Sequence, residues 1–269
     1  MAETRIHPTA IIEPGAELDS SVVVGPYTVI GGEVKIGAGT EISSHCVING
    51  NTSIGRNNSI GPFVTVGAPP QDIRYKGEDT KLYIGDNNLI REYCSLHRGT
   101  PDSRGITSLE DGNMLMAYCH IAHDCKLGSH IIMANAATLG GHVEVEDRAT
   151  FGGMVAVHQF TRIGCYSYIG GMSGISKDVP PYLIVSGIRS KMRVTGINKI
   201  GLKRAGMTTK TIKKIDSAFR IIFRTQELLL QDALDQVHEE YNDCEEVVHL
   251  VNFFRQTQRS VIRTSIENE

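Results

Sequence analysis

An aliphatic residue at every sixth position is the feature that leaves this chain the fewest folds. Ile6, Ile12, Leu18, Val24, Ile30, Ile36, Ile42, Ile48, Ile54, Ile60 and Val66 follow one another at that spacing. The pattern resumes at Ile84, Ile90 and Leu96, then runs from Leu109 through Ile121, Leu139 and Val157 to Ile175, making 26 hexads. Four positions after the aliphatic comes a small or β-branched residue, such as Val22, Thr28, Ala137 or Val155, and Cys46, Cys94, Cys119 and Cys125 occupy the same slot. A period of six suits short strands turning at regular corners, with one large and one small side chain per hexad pointing inward. Glycine often follows the aliphatic, as at Gly25, Gly61 and Gly140, where a tight corner needs it. The four cysteines then read as small core residues, and no CxxC spacing argues for a zinc ribbon or a disulfide framework.

Two segments break the rhythm, near 68–83 ("APPQDIRYKGEDTKLY") and 98–108 ("RGTPDSRGITS"). Both are polar and turn-rich, so they read as loops thrown out of the stack, where a solenoid commonly carries its binding function. After "VPPY" the repeat stops. Ile212, Ile215, Phe219 and Ile222, then Leu230, Leu234, Val237 and Tyr241, then Val247, Val251 and Phe254 fall at amphipathic helical spacing. The expected organisation is a repeat domain over 1–190 and a small helical domain over 191–269. No long apolar run and no apolar block near the N-terminus appear, which points to a cytoplasmic protein without stable membrane insertion.

The stretch "HIAHDC" (120–125) admits three readings: a metal site, a catalytic base with its helper, or surface polarity on a strand. With three hexads, or 18 residues, per coil, as the family resemblance given below implies, the hexads of Ile121, Leu139 and Val157 lie above one another, so His123, His142 and His158 are expected to face one groove, with His120 and Gln159 beside them. None of them sits in an inward slot. Charge is also segregated: residues 189–224 contain eleven Lys or Arg and the single acid Asp216. Such a basic segment suits an acidic protein partner or a diphosphate; nucleic acid is the other reader, but no nucleic-acid motif accompanies it.

The repeat resembles that of the hexapeptide-repeat transferases, which implies a mainly β fold, a left-handed parallel β-helix with three hexads per coil and a small C-terminal α-helical domain. The handedness rests on the resemblance, since right-handed crossovers are the general preference. Twenty-six hexads make eight to nine coils, a stack of roughly 40 Å at about 4.8 Å per strand.

Within that group, "HIAHDC", "LGGHVEVED", "GGMVAVHQF", "GINKIGLKRAG" and "PQDIRYKGE" resemble the UDP-N-acetylglucosamine 3-O-acyltransferase family along essentially the whole chain. The resemblance implies transfer of a (3-hydroxy)acyl group from acyl carrier protein to the sugar 3-position, at the start of lipid A synthesis. It implies His123 as general base, Asp124 as its orienting partner and the Gly141 N–H as oxyanion donor. A direct bond between the adjacent His123 and Asp124 requires local bending, because consecutive strand residues point to opposite faces. Gln71, Asp72, Arg74, His120, His142 and Gln159 match the nucleotide-sugar site, Asn198 and Arg204 its uridine and phosphate end, and Gly171 a position that admits longer acyl chains. Arg74 stands where lysine is familiar, and Ile200 where an acid is. No metal and no cofactor are implied beyond the phosphopantetheine of acyl carrier protein, and the expected assembly is a homotrimer with sites between subunits. The neighbouring readings are an acyltransferase acting on a 3-amino UDP-sugar, an N-acyltransferase of the same pathway, which carries an additional N-terminal uridine-binding domain, a zinc-dependent β-helical enzyme, and a structural solenoid scaffold.

Overall fold

Each of the 26 hexad aliphatics lies in its own short strand, from Arg5–Ile6 to Gly174–Ile175. In the computed structural model, residues 5–188, 191–225, 228–257 and 260–262 are described. The strands form a left-handed parallel β-helix with three faces, of eleven, nine and eight strands. Register is strict. Ile121 pairs with Leu139 and Leu139 with Val157, one coil apart, so side chains of equal phase stack along the axis. From Val24 onward the aliphatic slot is buried throughout, and Cys46, Cys94, Cys119 and Cys125 are buried free thiols in the small slot. Burying one such aliphatic side chain contributes about 1.5–3 kcal/mol, and it is this summed interior that holds two-residue strands together.

The corners carry the conformational cost. Tyr27, His45, Phe63, Tyr93 and Tyr118, all at φ near +60°, turn the chain from the eleven-stranded to the nine-stranded face. A left-handed residue costs about 1–2 kcal/mol, partly offset here because the five rings stack in a ladder at centroid spacings of 4.8–5.2 Å.

The interruptions are loops, bounded by the strands Thr65–Ala68 and Lys81–Ile84 and by Ser95–His97 and Ile106–Leu109. At the far end, Leu183–Ser186 continues the eleven-stranded face and Arg193–Ile197 pairs with it antiparallel. The sheet therefore runs past residue 190, and helix begins only at Lys199. Four helices follow among the described residues: α1 (Lys199–Arg204), α2 (Thr209–Arg224), α3 (Leu230–Tyr241) and α4 (Glu245–Gln256). Asn198 and Thr208 cap α1 and α2 through their side-chain oxygens. Ile212, Ile215, Phe219, Ile222, Leu234, Val237, Val247, Val251 and Phe254 bury the faces that their spacing implies. No helix among the described residues is long and apolar enough to cross a membrane.

Candidate active site

The corner between the nine-stranded and eight-stranded faces brings His123 and Asp124 together. Asp124 adopts φ +58°, as do His142 (+61°) and Phe160 (+64°) one and two coils on. That left-handed residue is the local bend that lets two consecutive side chains meet: His123 Nδ1 lies 2.9 Å from Asp124 Oδ2. With the carboxylate accepting from Nδ1–H, the Nε2 lone pair remains as the basic site. The histidines do not stack in one column as expected. His123 lies below Gly141 and Gln159, whereas Asp124 lies below His142 and Phe160, because one coil is 18 residues and 123 and 142 differ by 19. His142 N–H donates to the His123 carbonyl at 2.9 Å, and the two rings meet edge to face at 5.0 Å. His142 stacks on Phe160 at 4.3 Å. His158 is exposed, its Nδ1 3.0 Å from the Gln159 carbonyl oxygen, outside this cluster.

Gly141 lies against the imidazole. A Cβ there would stand 2.5 Å from His123 Cε1 and 2.7 Å from Nε2, so only glycine lets the backbone approach so closely. The Gly141 backbone thus lies beside the Cε1–Nε2 edge of the ring.

The inserted loops complete the surroundings. Thr100, in the second loop, donates its hydroxyl to Asp124 Oδ2 at 2.6 Å and its N–H to both carboxylate oxygens at 3.0 and 3.1 Å. Thr107 Oγ1 accepts from the Asp124 N–H at 2.8 Å, and Ser103 Oγ lies 3.1 Å from His142 Nδ1. Burial alone would raise the Asp124 carboxyl, but the hydrogen bonds from His123 and Thr100 outweigh it and hold the group below its ordinary range. In the first loop Arg74 holds Asp72 at 2.7 Å and reaches Asp102 of the second loop at 3.7 Å. The Arg74 bonds keep Asp72 strongly ionised, and it lies close enough to His142 to favour that ring's charged form slightly. Gln71 is exposed at the start of that loop. Clefts of about 510 Å³ open on both sides, one between the loops from Asp72 to Asp102, the other from Asp124 and His142 toward Arg162 and Asp178.

Burial and the neighbouring His123 push His120 down, and burial with His120 pushes His97 down to about 4. His120 Nδ1 is 2.8 Å from Ser95 Oγ, with the His97 ring edge-on at 4.9 Å. Burial likewise outweighs the nearby Asp124 and lowers His142. The site thus disfavours the charged form of His97, His120 and His142 beside the ionised carboxylates of Asp124 and Asp72. His97, Thr100 and Ser103 escaped the sequence reading; a Thr in a polar loop carries no periodic signal.

Two expected members lie elsewhere. Asn198 caps α1 and donates from Nδ2 to the Tyr166 carbonyl at 2.9 Å, and Arg204 ends the same helix. With Arg148, Tyr168 and Ile200 they line a cleft of about 460 Å³ on the eleven-stranded face, not the corner that carries His123. Gly171 sits in the turn after the strand Tyr168–Ile169, at the other edge of the nine-stranded face. The basic segment is also partly answered within the chain: Lys214 binds Asp243 at 2.6 Å, and Lys199 and Arg220 bind Asp216. Lys210 and Lys213 enter no ion pair among the described residues.

Residues 178–262 match the family model described as Udp N-acetylglucosamine O-acyltransferase, domain 2, and residues 33–68 match bacterial transferase hexapeptide (six repeats). The acyl-(acyl-carrier-protein)–UDP-N-acetylglucosamine O-acyltransferase of Halorhodospira halophila is 50% identical over 97% of this chain and 100% of its own length. Its namesake from Thermodesulfovibrio yellowstonii is 52% identical over 96% and 99%. Among solved structures, the UDP-N-acetylglucosamine acyltransferase of Francisella novicida superposes with a TM-score of 0.92 at 38% identity, covering 96% of this chain and 94% of that one.

Proposed function

The chain belongs to the UDP-N-acetylglucosamine O-acyltransferase family, and from that premise we propose how its residues carry the reaction. It transfers a (3-hydroxy)acyl group from acyl carrier protein to the 3-hydroxyl of UDP-N-acetylglucosamine, the first step of lipid A synthesis. His123 Nε2 takes the hydroxyl proton as the sugar oxygen attacks the thioester carbon. The new C–O bond forms, the carbonyl electrons move onto oxygen beside the Gly141 N–H, and collapse expels the phosphopantetheine thiolate, which recovers the proton from His123. Asp124 holds the ring and balances the imidazolium, so no metal or further cofactor enters.

The observation that carries this reading is the His123–Asp124 pair, held at a left-handed corner by Thr100 with Gly141 against the ring. Asp72, Arg74, His120, His142, Gln71 and Gln159 serve the nucleotide sugar. Above His120 the outward positions of the nine-stranded face shrink from Thr138 to Ala156 to Gly174. An acyl chain laid there reaches the Gly171 turn after three coils, about 14 Å. Asn198 and Arg204 act from another subunit of a homotrimer, since each chain carries the two halves on separate faces. Lys210 and Lys213 meet the acidic carrier, and the enzyme works in the cytoplasm.

The test is incubation with acyl-acyl carrier protein donors and UDP-N-acetylglucosamine or its 3-amino analogue, with the product identified by mass spectrometry. An O-acylated sugar is expected, and His123→Ala should lower kcat by about 10²–10⁴ while UDP-sugar binding holds within a few fold. Wild-type turnover in that variant refutes the catalytic assignment; an amide product alone shifts the acceptor class.

A further inference from the structure

A second cluster of donor atoms lies where α4 meets the solenoid, and the reaction above makes no use of it. Glu146 follows the strand Glu144–Val145, Cys165 follows Arg162–Ile163 one coil further on, and His249 faces both from α4. A carboxylate oxygen, the thiol sulfur and a ring nitrogen all lie within 4.8 Å of one another. His249 Nε2 is 2.7 Å from Glu146 Oε2, and the Cys165 N–H donates to that same oxygen at 2.9 Å.

We propose that Glu146, Cys165 and His249 form a zinc site that clamps the helical domain to the β-helix. One thiolate, one imidazole and one carboxylate make a mixed set that suits borderline-soft, tetrahedral Zn²⁺ rather than Mg²⁺ or Ca²⁺, which take oxygen ligands. Around zinc, donor atoms stand about 3.3–3.7 Å apart, given bonds of about 2.0–2.3 Å. The 2.7 Å His249–Glu146 contact is shorter than that and opens slightly on binding, and the sulfur lies within 4.8 Å of both partners. Charge balances: thiolate and carboxylate neutralise the ion, and binding releases the thiol proton to solvent, with a second when the imidazole enters charged.

The surroundings are compatible with an ion. Arg162 approaches Glu146 from its other oxygen, Oε1, at 3.8 Å, is shared with Glu144 at 3.9 Å, and rests on the Phe253 ring, so it does not block Oε2. Tyr182 packs beside the trio: its N–H donates to the Cys165 carbonyl at 2.8 Å and its ring meets the His249 ring edge to face at 6.3 Å. Side chains of His249 and Glu146 are 40% and 29% exposed, which leaves an entry path and a fourth position for water. Because the ligands come from two coils and a helix more than eighty residues later, occupancy would stabilise the folded chain and not the unfolded one.

The test uses the full-length protein after exhaustive chelation. Titration with Zn²⁺ should bind about one ion per chain and raise Tm in proportion to the logarithm of free zinc. Co²⁺ should give tetrahedral visible absorption and a thiolate-to-cobalt charge-transfer band in the near ultraviolet. Cys165→Ser should abolish that band, and His249→Gln should weaken Zn²⁺ binding by about tenfold or more. Acyl transfer should survive chelation, which separates this site from the His123 corner, where His123, Asp124 and His142 also cluster. Absence of the charge-transfer band in the wild-type protein overturns the proposal without recourse to any variant. So does a band that persists in Cys165→Ser, or equal zinc affinity in a His249→Gln protein whose metal-free melting shows it folded.

Discussion

Replacing Thr100 by valine removes one hydroxyl and keeps the shape, so it isolates what the second loop does for the base. The Asp124 side chain is fully buried and takes four hydrogen bonds, one from His123 and three from Thr100. The bond that is lost is the shortest, 2.6 Å, and is charge-assisted, a class that contributes about 1.5–3 kcal/mol net. The Thr100 N–H and His123 remain, so the carboxylate is not stranded, and the lower half of that range is expected as lost stability. The pH sign follows from the depressed carboxyl: Asp124 stabilises the fold above its unfolded-state value, and that contribution disappears as pH falls through the lower folded value. Thr100→Val moves the folded value upward, so the loss is full at neutral pH, shrinks in acid, and flattens the acidic limb of the stability curve. In catalysis a looser His123 should lower kcat by between a few fold and about a hundredfold, since 1.4 kcal/mol is a factor of ten. Urea unfolding and kcat measured across the acidic range are the assays, with Thr100→Ser as the variant that should restore both. Unchanged kcat and an unchanged acidic limb in Thr100→Val refute the idea that this loop orients the base.

Three other outcomes follow from the geometry. Gly141→Ala places a methyl 2.5 Å from His123 Cε1, so the ring must tilt, with a stability cost of about 1–3 kcal/mol and a fall in kcat larger than any rise in KM; steady-state kinetics decide. Lys210→Glu with Lys213→Glu should raise the KM for acyl carrier protein, less so in high salt, with no change for UDP-sugar, whereas reversing Lys214 would break its Asp243 pair and lower Tm instead. Inactive His123→Ala and Arg204→Ala chains, refolded together, should regain part of the wild-type activity through mixed trimers, and a mixture as inactive as its components would place both residues in one subunit's site.

The hexad aliphatics alone determined 26 strands, their stacking order and the inward slots, down to four cysteines whose chemistry suggested other roles. That legibility has a simple cause: each coil repeats the same local problem, so one buried position per six residues fixes period, face and register together. The same physics made α2 readable from Ile212, Ile215, Phe219 and Ile222, whose spacing has a single consistent burial. His123 and Asp124 were visible as a motif, but their contact was not, because an L-residue at φ +58° is set by the corner and not by the residue itself. The offset between His123 and His142 decided which atoms face each other. Thr100 reaches Asp124 across 24 positions of sequence, and His249 reaches Glu146 across 103. Asn198 and Arg204 matched the site by motif yet stand on a different face. Such pairings depend on how loops and helices return to the prism, and no period in the chain encodes that return; only the tertiary structure decided them.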